Sequence, residues 1–148
     1  LLLTSSTGEE ALAMGMGDAL EFGPFLIVNG TPSFIKGNGG WGYAARTAIG
    51  QRADGIVLML TVDSNATRTK GASMVDLTEI MYNYGAINAA NLDGGTSSVL
   101  VVDNTIVNDP IDSTGAHKTR PISTGFILTK DESDDSDKGP VEDKVSQN

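Results

Sequence analysis

The sequence predicts an α+β fold: a mixed, strand-rich sheet with about two helices packed against it. Three observations carry this. Glycine fills 18 of 148 positions, against an average usage of roughly 7%, so tight turns are frequent. Five short apolar runs are separated by turn chemistry, and two stretches carry helix caps and helical spacing.

In chain order, the first helix is predicted over residues 8–17. Ser6 and Thr7 offer caps, and Glu9 and Glu10 fall in the first turn, where the helix dipole favours acids. Residues 25–28 (Phe-Leu-Ile-Val) form a strand ended by Asn29-Gly30, a hairpin pair. Residues 56–62 (Ile-Val-Leu-Met-Leu-Thr-Val) are a near-continuous β-branched run, the pattern of a strand buried on both faces. The second helix is predicted over residues 74–84. Ser73 is its cap and Asp76 its capping-box partner, with Met74, Leu77, Met81 and Tyr84 on one face and Gly85 as the stop. Strands follow at residues 86–92, 98–102 and 122–128.

Residues 130–148 change character. They hold seven acids against three lysines, which is −4 of the net charge of −9 and leaves −5 on residues 1–129. So few apolar groups cannot offset the entropy of ordering. Residues 130–148 are therefore expected to be an acidic disordered tail or linker, and residues 1–129 a single domain. Asp134-Asp135-Ser136-Asp137 lacks the spacing and closing Glu of a calcium loop.

The acidic balance argues against nucleic acid as a partner, since phosphate backbones select basic stripes. No apolar run approaches the roughly 18 residues of a spanning helix, which argues against an integral membrane protein. Cys is absent and His117 is the one histidine. A zinc site is therefore not expected, a Ser-His-Asp triad would rest on His117 alone, and no cofactor is called for. Leu1 in place of Met fits a processed or excised piece.

Chemistry concentrates in Asn88-Ala89-Ala90-Asn91-Leu92-Asp93-Gly94-Gly95-Thr96-Ser97-Ser98. Asp-Gly-Gly between apolar runs can be a plain hairpin turn. Yet an Asn, an Asp, two glycines, a Thr and two serines crowd one strand end, where glycines let a ligand approach the backbone. Arg46 and Arg120, set among small or apolar residues, are either paired inside or forks for a carboxylate or phosphate. His117 sits in a Gly/Ser/Thr/Lys loop, the usual place of a solvated side chain. Gly37-Asn38-Gly39-Gly40-Trp41-Gly42 reads as a flexible loop, whose Trp41, with Tyr43, could stack on a sugar or cover the core edge.

The order of blocks closely resembles the phosphodiester glycosidase family. It runs from Glu21-Phe22-Gly23-Pro24 and Phe25-Leu26-Ile27-Val28-Asn29-Gly30, through Ala45-Arg46-Thr47-Ala48-Ile49-Gly50, Asp54-Gly55, Thr61-Val62-Asp63 and Gly71, to residues 88–97 and Arg120. The resemblance covers roughly residues 20–129. It implies a hydrolase that releases a sugar from a sugar-1-phosphodiester, of the N-acetylglucosamine-1-phosphodiester kind, on a glycan or sugar-phosphate substrate. The implied catalytic residues are Asp93, Arg46 and Arg120; the implied substrate contacts are Asn91, Gly94, Gly95, Ser97, Asp63 and Asp76. A secreted or cell-surface bacterial setting, linked to exopolysaccharide, goes with it. The family has a third glycine where this chain has Thr96, and Glu where it has Asp76. Its domain begins further upstream, so part of the site is expected to lie outside this chain. The alternative is a non-catalytic carbohydrate- or surface-polymer-binding domain on the same fold.

Overall fold

A computed structural model describes residues 1–65, 69–111 and 114–129; the predicted tail lies outside these. Helix α1 (Gly8–Ala13) is followed by strands β1 (Phe25–Val28), β2 (Thr31–Pro32), β3 (Arg46–Arg52) and β4 (Val57–Val62). Helix α2 (Met74–Asn83) leads into β5 (Ala86–Asn91), a 3-10 turn (Gly95–Ser97) and the two-stranded ribbon of β6 (Val101–Val102) and β7 (Thr105–Ile106). The fold is α+β and strand-rich, as the sequence predicts.

The main sheet has the order β2-β1-β5-β3-β4, and every pairing in it is antiparallel. Asn29 and Gly30 both take positive φ, +49° and +77°, which is the two-residue turn that joins β1 to β2. The core lies between the sheet and α2. Leu26 and Ile27 of β1, Ala48 of β3 and Ala86 and Ala89 of β5 meet Met74, Leu77 and Met81 of α2. Small alanines in the strands let the helix come close; its Leu and Met side chains supply the apolar area. Each such side chain, fully buried, contributes about 1.5–3 kcal/mol.

Both capping boxes are formed. Thr7 with Glu10 closes α1, and Ser73 with Asp76 closes α2. In the second, Asp76 Oδ2 accepts from Ser73 N at 2.8 Å and from Ser73 Oγ at 2.8 Å.

Four expectations need correction. The interior strand β3, between β5 and β4, lies where no strand was predicted. Strand β4 is not buried on both faces: it is an edge strand, and Val57 and Met59 are exposed. Residues 122–128 form no strand, and Ile127 and Leu128 are exposed. Tyr84 caps α2 and is exposed rather than sharing its buried face. The boundaries of α1 and of the strand predicted at 98–102 also contract, to Gly8–Ala13 and Val101–Val102.

Candidate functional site

The Asp93-Gly94-Gly95 segment is not a hairpin turn. Strand β5 does not run back onto β6, which pairs with β7 instead. The chain leaves β5 and folds at once into the 3-10 turn Gly95–Ser97. It lies tight against the entry to β3: Gly95 N donates to Ala45 O at 2.8 Å. A Cβ on Gly94 would stand 2.8 Å from the same carbonyl, and Gly95 has φ +60°. Both glycines are therefore required by the backbone path.

Arg120 is brought to this turn from the far end of the described chain. Its Nε donates to Ser97 Oγ at 2.6 Å and its Nη2 to Asp93 Oδ2 at 2.5 Å. Just before it, Thr119 Oγ1 donates to Thr96 O at 2.8 Å. The Asp93 and Arg120 side chains are 43% and 55% exposed, so the pair faces solvent and can be reached by a ligand. A charge-assisted pair on a glycine turn offers an anion its remaining guanidinium N–H groups and an electrophile its carboxylate.

Arg46, at the start of β3, is placed differently. It is 8% exposed. Its Nε donates to Ala72 O at 3.1 Å, and its Nη2 to Trp41 O and Gly42 O, both at 3.0 Å. Among the described residues no carboxylate pairs with it, and burial pulls the guanidinium below its usual pKa. The charge is held by backbone carbonyl dipoles, a solution to neither of the two sequence alternatives. Residue type alone marks Arg46 as an inward-facing group; only the path of the 37–42 loop reveals its partners.

Asn91 ends β5 opposite Ala48. It is 2% exposed, donates Nδ2 to Gly23 O at 2.8 Å, and leaves Oδ1 buried without a partner among the described residues. Such an orphaned acceptor costs roughly 1–3 kcal/mol. Asp76 is engaged in the α2 cap. Asp63, just past β4, accepts from Asn108 Nδ2 at 2.8 Å and from Asp109 N at 2.9 Å. Asn108 in turn donates to Ser98 O at 2.8 Å, so Asp63 anchors the segment leaving the turn. The structure thus gathers Asp93, Gly94, Gly95, Ser97 and Arg120 in one constellation. It commits Asp63 and Asp76 to local anchoring and Arg46 to the neighbouring loop.

Two further residues support the turn: His117, which the sequence reads as a solvated loop side chain, and Thr119, which it does not single out. His117 Nδ1 lies 2.5 Å from Asp109 Oδ1, which ties the loop carrying Arg120 to the Asp63 anchor. Thr119 adds the bond to Thr96 noted above. Neither is signalled by spacing, because both depend on long-range loop contacts.

Fold and site together define a class. The profile of the phosphodiester glycosidase family matches residues 3–129, and the chain belongs to that family. It is 41% identical over 64 residues to the SPβ prophage-derived uncharacterised protein YomE of Bacillus subtilis, a stretch covering 43% of this chain and 10% of that protein. It is 35% identical over 69 residues to the bovine N-acetylglucosamine-1-phosphodiester α-N-acetylglucosaminidase, covering 47% of this chain and 13% of the relative. The chain therefore spans only a small part of the relatives it matches. Among solved structures, a hypothetical protein from Synechocystis aligns with TM-score 0.50 and 28% identity, over 66% of this chain and 19% of that one. The zebrafish N-acetylglucosamine-1-phosphodiester α-N-acetylglucosaminidase catalytic domain shares the fold, with TM-score 0.52 and 21% identity over 66% of this chain and 37% of that chain. Among the described residues no helix is long and apolar enough to cross a membrane.

Proposed function

We propose that the chain carries the hydrolytic centre of a glycosidase that releases a sugar from a sugar-1-phosphodiester, of the N-acetylglucosamine-1-phosphodiester kind. The observation that carries this is the exposed Asp93–Arg120 pair on a glycine turn that Gly94 packs against Ala45, at the entry to β3. Membership of the family supports the reaction type.

The chemistry follows from the leaving group. The scissile bond joins the anomeric carbon to a phosphate oxygen, and the departing phosphomonoester is stable without a proton. A strong general acid is therefore less needed than in ordinary glycoside hydrolysis. The site must supply a carboxylate at the anomeric carbon and a cation at the phosphate. Asp93 takes the first role, as nucleophile or as base for the attacking water. Arg120 takes the second: Ser97 fixes its Nε, and its free N–H groups meet the phosphate oxygens. Water adds to the anomeric carbon, the bond from that carbon to the phosphate oxygen breaks, and the proton from water leaves through Asp93 to solvent.

Gly95, where a Cβ would meet nothing, leaves the approach open, and Gly94 lets the turn sit against Ala45. Ser97 orients Arg120, and Asn91, buried behind the turn, ties the end of β5 to Gly23. Arg46 acts through the loop it holds, Asp63 and Asp76 through the segments they anchor. A secreted or cell-surface bacterial glycan or glycolipid is the setting that fits an acidic chain of this family.

The test is release of free sugar from an activated N-acetylglucosamine-1-phosphate diester. Asp93→Asn should reduce turnover by about 10³-fold or more while the melting temperature stays within a few degrees. Turnover by the variant within tenfold of the parent would remove Asp93 from the reaction. Saturable binding with no release by the parent would favour the carbohydrate-binding alternative.

A further inference from the structure

The loop before β3 raises a separate question. Residues 36–44 are held at three points. A Cβ on Gly39 would stand 2.6 Å from Met74 Cβ, so the loop lies directly on the first residue of α2. Arg46 grips the carbonyls of Trp41 and Gly42. Ala44 bridges to Ala72, with Ala72 N donating to Ala44 O at 2.9 Å. The fit beneath Ala44 is so close that a Cβ on Gly71 would stand 2.1 Å from Ala44 O.

A segment pinned this firmly would ordinarily turn its large side chains inward. Instead Trp41 is 57% exposed and Tyr43 55% exposed, so neither covers the core edge. Gly37, Gly39, Gly40 and Gly42 all take positive φ, and this backbone holds the aromatics outward. The loop runs straight into the residues that touch the Asp93 turn, Ala45 and Arg46. Tyr43 is two residues before Ala45, whose carbonyl accepts from Gly95 N, and Gly95 is two residues past Asp93.

We infer that Trp41 and Tyr43 form the wall on which the sugar ring of the substrate stacks, with Arg46 as the positioning residue that holds them beside the Asp93–Arg120 pair. This rests on the glycosidase reading and extends it to the sugar subsite. Pyranose C–H faces are apolar enough to lie on an aromatic ring, and a rigid ring sacrifices little side-chain entropy on binding. The buried Arg46 charge then has a purpose: two charge-assisted bonds to the carbonyls of Trp41 and Gly42 fix the loop, and a third to Ala72 O anchors the guanidinium itself.

Trp41 is the single tryptophan of the chain, so its fluorescence reports this loop alone. N-acetylglucosamine 1-phosphate should shift and quench that emission saturably, whereas inorganic phosphate, able to meet Arg120 only, should not. In the release assay, Trp41→Ala and Tyr43→Ala should each raise KM by about five- to tenfold, with a smaller change in kcat. Trp41→Phe should recover most of the loss. Turnover with KM unchanged in both alanine variants, or turnover with no response from Trp41, overturns the stacking wall and leaves the glycosidase standing. A saturable Trp41 shift with no turnover overturns the glycosidase and keeps the sugar subsite. Neither signal overturns both.

Discussion

At the scale of single residues, the two arginines separate by their partners. Arg120 is bonded to side chains and half open; Arg46 is bonded to carbonyls and closed in. Both stand out in the sequence for the same reason, a cation among small residues in an acidic chain, and nothing local tells them apart. The partners of Arg46 come from a loop four and five residues upstream and from Ala72, 26 residues downstream. Arg46→Lys should separate fork geometry from charge: one ammonium cannot span three carbonyls set around a planar guanidinium. A loss of about 1–3 kcal/mol is expected, read as a lower denaturation midpoint with unchanged slope. Full stability in the lysine variant would mean that charge alone suffices. The Asp93 turn was legible because its residue types are costly to place together without a purpose. Its path into a 3-10 turn was not, since Asp-Gly-Gly suits a hairpin equally well.

At the scale of elements, α2 was the most readable piece. Cap, capping box, apolar face and stop residue all agree, and the structure gives Met74–Asn83 with the box formed. Asp76 therefore has a local duty that can be weighed against a substrate role. Asp76→Ala should cost about 1 kcal/mol of stability with KM unchanged; a stable variant with a raised KM would return Asp76 to the substrate site. Strand β3 escaped notice because Arg46-Thr47-Ala48-Ile49-Gly50-Gln51-Arg52 begins and ends on arginine and holds a glycine. Its strand character comes from neighbours on both sides, β4 and β5. That interior position overrides weak propensity. Gly50 suits it, since a Cβ there would stand 3.1 Å from Asn88 O across the pair. Strand β4 misled in the opposite direction. Its β-branched run suits any strand, and only the sheet order makes it an edge. Residues 122–128 have the composition of a strand, but no edge among the described residues receives them.

At the scale of the whole molecule, the sheet and α2 act as a platform for two loops at the entry to β3. One carries Asp93 at the exit of β5, the other Trp41 and Tyr43, and Ala45–Arg46 touches both. The platform sits in a chain of net charge −9, while the proposed substrate is itself an anion. The long-range field opposes approach, and Arg120 counters it locally. Raising ionic strength from 0.01 to 0.15 M shortens the Debye length from about 30 to about 8 Å. This should raise kcat/KM by about twofold, measured as initial rates in sodium chloride. A steep fall would mean that attraction at the site outweighs the repulsion of the chain's net charge.

The central claim is that bond breaking occurs on the sugar side of the phosphodiester. The most direct measurement is hydrolysis of an N-acetylglucosamine-1-phosphate diester in ¹⁸O-labelled water, followed by mass spectrometry of both products. A glycosidase centred on Asp93 puts the label on the anomeric oxygen of the free sugar and none in the phosphomonoester. Label in the phosphate would instead make the Asp93–Arg120 pair a phosphodiesterase centre and contradict this account.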